Sequence, residues 1–158
     1  MVSKPFKILL KIPVPWVFVF TYLIGLIPQF IIPIIVHSPK AIFSVRSSGV
    51  FLFAVGAFFA AWSLIIFHNA NTTTTPGEKS AKLIKSGPYR FSRNPMYVSL
   101  ILAYLGEAGF LVQAWPVIFL PLTISYINWI IIPVEEAQLT DNFKDEYIKY
   151  SKSVHRWL

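Results

Sequence analysis

An all-α, polytopic integral membrane protein, with four transmembrane helices and a C-terminal amphipathic helix in one domain (1–158), is the fold class this sequence predicts. Three observations predict it. Of its 158 residues, 55% are hydrophobic and 13% charged, about half the charged share usual in a soluble domain. Apolar runs near the roughly 20 residues that a helix needs to cross about 30 Å of hydrocarbon recur along the whole chain. The fourteen Lys and Arg residues all fall outside these runs.

The first run, 12–36, follows Lys4, Lys7 and Lys11. That start resembles the n-region of a signal peptide, but the apolar stretch is too long and no small-residue cleavage site follows, so it reads as a retained anchor. Pro13, Pro15, Pro28 and Pro33 each remove a backbone donor, which predicts an irregular or broken first helix. The second span is expected at 49–68, the third at 95–112 and the fourth at 115–133. The short Gln113-Ala114 link makes the last two a tight antiparallel hairpin. Between spans two and three lies a polar loop, 69–94, containing Thr72 to Thr75 and Pro76-Gly77. With the N-terminus inside, twelve of the fourteen Lys and Arg lie on the cytoplasmic side, as the positive-inside rule requires. Both chain ends are therefore expected in the cytoplasm, and the Asn71-Thr72-Thr73 sequon is not expected to carry a glycan.

Trp16, Tyr22, Trp62, Trp115, Tyr126 and Trp129 fall mostly near expected span ends, where amphipathic rings favour the headgroup region. They need no chemical role. After Pro133, the residues Leu139, Phe143, Tyr147, Tyr150, Val154 and Trp157 recur at spacings of three and four, with charged residues between them. This predicts an amphipathic helix over 135–157, either on the membrane surface or as a lid over the cytoplasmic mouth of the hairpin.

With no cysteine in the chain, disulfides, thiolate nucleophiles and cysteine-bound metals are excluded. The net charge of +7 reports orientation and attraction to anionic headgroups, so membrane lipids are the expected partners and nucleic acid is not. His37 and His68 have no companions at metal-ligand spacing, and no metal site is expected. Glu107 is the one acidic residue within an expected span; an intramembrane carboxylate is functional by default, though near the outer end it can also snorkel or pair.

The densest chemical signal is the run Ser86-Gly87-Pro88-Tyr89-Arg90-Phe91-Ser92-Arg93-Asn94-Pro95-Met96-Tyr97. Asn94 suits an N-cap and Pro95 the first helical position, so the third span opens here with free N–H groups that attract anions. Glu135-Glu136 follows the fourth span, and equal hairpin arms return this pair to the same membrane face. A cationic helix entrance opposite two carboxylates suits a ligand bearing both charges and an aromatic group, such as S-adenosylmethionine.

Leu83-Ile84-Lys85-Ser86-Gly87-Pro88-Tyr89-Arg90, then Arg93-Asn94-Pro95-Met96-Tyr97, then Glu135-Glu136 with Leu139, Phe143, Tyr147 and Tyr150 resemble the isoprenylcysteine carboxyl methyltransferase and phospholipid methyltransferase superfamily. The resemblance covers roughly residues 72–157. It implies a membrane methyltransferase that uses S-adenosylmethionine at the cytoplasmic face, leaves S-adenosylhomocysteine and takes a lipophilic substrate sideways from the bilayer. Carried over by position, cofactor contacts fall on Ala81, Lys82, Leu83, Ile84, Tyr89, Asn94, Pro95, Met96, Tyr97 and Glu135, with Arg93 and Glu136 as neighbours. No catalytic residue is assigned, and neither a covalent enzyme intermediate nor an obligate protein partner is implied. Two positions depart from the pattern: Asn94 stands where family members often have His, and Ile131 stands where the isoprenylcysteine enzymes carry a basic residue matching a substrate carboxylate. The acceptor is expected to be isoprenylcysteine-like, or alternatively a phosphatidylethanolamine-type amine. A non-catalytic scaffold or transporter subunit is the reading from a different class.

Overall fold

The computed structural model describes residues 13–70 and 82–158, and every regular element among them is helical. Helix α1 is Val14–Ile31, α2 Pro39–Asn69, α3 Pro95–Leu111, α4 Ala114–Tyr126, α5 Ile132–Phe143 and α6 Asp145–Ser153, with a 3-10 turn at Gly87–Arg90. Three helical stretches are long and apolar enough to cross a membrane: Val14–Ile31, Pro39–Asn69 and the run Ala114–Phe143, while Pro95–Leu111 is a shorter apolar helix.

Each proline of the first span has its own consequence. Pro13 and Pro15 sit at the start of α1, where the missing N–H has no intrahelical partner to lose. Pro28 lies in the last turn, where its carbonyl still accepts from Ile32 N at 2.8 Å. Pro33 follows the helix, which ends at Ile31 instead of running to 36. Helix α2 begins ten residues before the expected span, because Ser38 accepts from Ala41 N at 3.4 Å and Pro39 occupies the first turn. Lys40 and Arg46 are therefore helical. At 31 residues this helix is about 46 Å long, more than the hydrocarbon core requires.

Helices α2 and α3 touch backbone to backbone. A Cβ at Gly106 would lie 2.5 Å from Phe53 N, and one at Gly49 would run into Phe110 N and Gly106 O. Where lipid competes with side chains for apolar contact, such close approach is what holds helices together. On the other flank, Val14, Phe18 and Tyr22 of α1 pack with Tyr104 and Ala108 of α3 and with Leu120, Ile127, Ile131 and Ile132. Tyr22 is thus a core residue, not part of an interfacial belt. It stacks edge-on against Tyr104 at 4.9 Å and donates to Gln113 Oε1 at 2.8 Å. Gln29 of α1 caps α4, its Oε1 accepting from Ala114 N at 3.1 Å and Trp115 N at 3.2 Å. Between α3 and α4, Val112 takes a left-handed φ of 56° as the hairpin turns.

The fourth helix passes Pro133 without ending. Ile132 N–H donates to Ile127 O, five residues back, and the resulting π turn, Ile127–Ile131, accommodates the donor that the proline lacks. The amphipathic segment expected at 135–157 is two helices and an extended tail. Lys144, at a φ of 46°, separates α5 from α6, and Val154 is extended. The α6 stripe faces protein: Tyr147 and Tyr150 are only 4% and 7% exposed.

Gly106→Leu is expected to push α2 from α3 and to cost about 1–3 kcal/mol, seen as a lower thermal midpoint in detergent. Phe51→Leu, on the exposed face of α2, is expected to change stability by about 0.5 kcal/mol or less.

Candidate functional site

The site lies where the start of α3 meets the first turn of α5 and the buried face of α6. Gly87, at a φ of 59°, makes the turn that a side chain would strain, and Pro88 and Tyr89 are buried directly after it. Tyr89 packs against Phe67 of α2 at 5.4 Å, and its carbonyl accepts from Tyr150 OH at 2.7 Å. The 3-10 turn is thereby fixed between α2 and α6.

Asn94 occupies the N-cap position of α3, but its side chain makes no capping bond. Instead, Nδ2 donates to Arg156 O at 2.9 Å, while Ser92 Oγ accepts from Asn94 N at 3.0 Å. Three residues on, Tyr97 OH donates to Glu135 Oε1 at 2.5 Å. Arg93 Nη1 lies 2.9 Å from Glu136 Oε1 and donates to Tyr147 OH at 3.3 Å. The convergence expected from the hairpin, of Arg93 to Tyr97 with Glu135-Glu136, is present.

The two carboxylates differ in what surrounds them. Glu136 is held by two guanidiniums, since Arg156 reaches it at 2.6 Å through Nη2 and at 3.2 Å through Nε. The Arg93 and Glu136 side chains are only 15% and 19% exposed, so these charge-assisted bonds are screened less than surface pairs. Glu135 takes one hydrogen bond, at Oε1, and the described residues leave Oε2 open. Arg93 Nε is buried without a hydrogen-bond partner among them. The site therefore presents one unused anionic and one unused cationic valence.

The tyrosines around it are neutral. Burial pushes Tyr150 up to about 12, with Tyr147 adding to the rise and Arg93 opposing it. Tyr89 is raised by burial first, then by Tyr150 and Glu135. Tyr147 is raised by burial and by Glu136, against the pull of Arg93 and Arg156. All three keep their protons through the physiological range.

Of the residues expected to contact a cofactor, Arg93, Asn94, Tyr97, Glu135 and Glu136 come together, with Pro95 buried beneath them and Met96 half-buried. Lys82 is exposed and Leu83 and Ile84 are half-buried; no hydrogen bond joins them to the carboxylates. Ala81, the threonine run and the Asn71 sequon lie outside the described residues. Ile131 is 3% exposed within the core. Glu107 is exposed on α3, far along the helix from this cluster. No group of His, Asp and Glu among the described residues could hold a metal.

Sequence reasoning did not single out Arg156 or Asn128, and read Trp157 only as part of an amphipathic stripe. Here the tail folds back over the site: His155 O accepts from Arg93 N at 2.9 Å, and Trp157 Nε1 donates to Asn128 Oδ1 at 3.0 Å. Asn128, a lone amide in the apolar run 115–133, was the available signal. Arg156→Ala is expected to loosen this strap by about 1–2 kcal/mol, speeding amide exchange at Arg93 roughly tenfold while Arg93 still holds Glu136.

Against known proteins, the model of the phospholipid methyltransferase family matches residues 45–146, from within α2 to the first turn of α6. No curated protein and no solved structure matches the chain.

Proposed function

The chain belongs to the phospholipid methyltransferase family, and we propose that it transfers a methyl group from S-adenosylmethionine to a lipophilic acceptor at the cytoplasmic membrane surface. The observation that carries this reading is the pairing of Arg93 and Tyr97 with Glu136 and Glu135 across the helical hairpin. In support of the cofactor, the unpartnered Arg93 Nε suits a carboxylate, and the open oxygen of Glu135 suits an ammonium or a ribose hydroxyl. Tyr89 and the segment Ala81 to Ile84 would complete its site, with Asn94, Pro95 and Met96 at the helix entrance. When bound, S-adenosylmethionine supplies an electrophilic methyl group on a sulfonium, which the acceptor displaces in line. The protein's part is to align the acceptor and to replace its hydration by fixed groups.

The acceptor we favour is a phospholipid amine. The position that would match a substrate carboxylate in the isoprenylcysteine enzymes is Ile131, an apolar side chain turned into the core. An amine must lose a proton before it attacks. Glu136 is already committed to two arginines and the open oxygen of Glu135 to the cofactor, so the proton leaves through the lipid's own phosphate or through water.

A four-span topology with both ends in the cytoplasm fits this function. Helix α3, at 17 residues, extends about 25 Å, and Lys85, Arg90, Arg93, Lys149 and Arg156 gather at the end that holds the site.

The test is calorimetric titration of S-adenosylhomocysteine into the detergent-purified protein and its Glu135→Ala variant. The wild type is expected to bind and the variant to bind roughly tenfold more weakly or worse, the loss of one charge-assisted contact. A folded wild type that does not bind would favour a non-catalytic scaffold, and an unaffected variant would move the site elsewhere.

A further inference from the structure

Beside the carboxylate cluster, and sharing with its surroundings only Tyr150, a groove of about 410 Å³ runs between α6 and the segment leading to the 3-10 turn. Lys85, Arg90 and Lys149 line it, with Glu146, Tyr150 and Ser153. Its walls are fixed relative to each other, because Tyr150 OH on α6 holds Tyr89 O in the 3-10 turn at 2.7 Å.

The charges do not balance. Lys85 pairs with Glu146 at 2.8 Å, but the two side chains are 45% and 55% exposed, so the pair is weak and easily exchanged. Arg90 and Lys149 form no ion pair among the described residues. Three cations thus face one carboxylate.

The surroundings point to the kind of anion. Outside the groove's own lining, Phe91, which follows Arg90 in the chain, is 63% exposed, and Ile148, which precedes Lys149, is 41% exposed. Arg90 precedes by five residues the start of α3 at Pro95, which sets the groove at the level where that apolar helix begins. Exposed apolar side chains beside cations at a helix entrance are what the boundary between acyl chains and phosphates selects. A small soluble anion would gain nothing from Phe91 or Ile148, whereas a lipid would satisfy both halves.

We propose that this groove binds the phosphodiester of an anionic phospholipid, with Arg90 and Lys149 on the phosphate and Phe91 and Ile148 against the acyl chains. The site is separate from methyl transfer and holds a lipid as a ligand, whatever the acceptor proves to be. Lys85 is the third cation, freed when the phosphate displaces its pair with Glu146.

The experiment is native mass spectrometry of the full chain in detergent, titrated with short-chain phosphatidylglycerol or with phosphatidylcholine of the same chains. Wild type is expected to retain phosphatidylglycerol roughly tenfold better, and Arg90→Ala/Lys149→Ala to lose most of that preference. Lys40→Ala/Arg46→Ala removes the same charge elsewhere and is expected to keep it. Glu146→Gln, which takes away the competing carboxylate, is expected to increase retention, a gain that misfolding cannot mimic. An unchanged preference in Arg90→Ala/Lys149→Ala, or no gain in Glu146→Gln, would overturn the proposal. So would displacement of the lipid by equimolar inorganic phosphate, which would make the groove a site for soluble anions. Titration with S-adenosylhomocysteine reads the other site, so each reading can fail without the other.

Discussion

Glu136 is the residue through which the site end of the molecule is held together. Its two oxygens accept from Arg93, ahead of α3, and from Arg156, in the tail, so one carboxylate joins the helix entrance, the end of the fourth helix and the extended tail. A carboxylate so little exposed is costly to desolvate, and two guanidiniums offset that cost only if both are correctly placed. The placement of Arg93 relies on Tyr147 and on the backbone bond to His155. That of Arg156 relies on Asn128. Everything else at the site inherits its geometry from this junction. With Glu136 fixed, its neighbour Glu135 is presented to Tyr97 and keeps an oxygen to spare.

Division of labour between adjacent glutamates follows from this. One is structural because it is saturated; the other is open to chemistry because it is not. Sequence order alone treats them as equivalent, and only the partners tell them apart. The same logic separates the two cationic regions of this face. Arg93 and Arg156 are consumed in holding carboxylates, whereas Arg90 and Lys149 line the outer groove proposed to take a lipid phosphate. Charge that looks uniform along the chain is thus divided into an internal clamp and an external anchor, with Tyr89 and Tyr150 forming the wall between them.

What the sequence made legible depended on how local each signal was. Asn94-Pro95 and Gln113-Ala114 mark the ends of α3, and a helix does run over Pro95–Leu111 where one was expected at 95–112, because turn chemistry fixes a boundary within a residue or two. The equal arms of the hairpin then bring Glu135-Glu136 to Arg93. Elsewhere an averaged property concealed the boundary. Lys40 and Arg46 diluted the start of α2, although Ser38-Pro39 was a proper helix entrance. Hydrophobic periodicity showed the stripe with Tyr147 and Tyr150 but not its partner, since lipid and protein are equally apolar. Tyr22 looked interfacial by type and proved to be core by contact. The tail contacts of Arg156 and Trp157 were invisible because no spacing rule links the last residues to Asn128, a residue buried in the middle of an apolar run.

The π turn at Ile127–Ile131 has a consequence for how this chain tolerates change. It is in effect one residue more than a regular helix would need between Leu120 and Glu135, and each residue turns a helix by about 100°. Excising one of these five residues would let the helix become regular and leave both glutamates near their present phase, because five residues of a π turn rotate the chain about as far as four of an α-helix. Exchanges among Ile, Leu and Val at the same positions leave the phase untouched. Relatives that keep the site should therefore tolerate both a change of composition and the loss of one residue here, so the phase of the two glutamates relative to Leu120 is the more informative feature to compare.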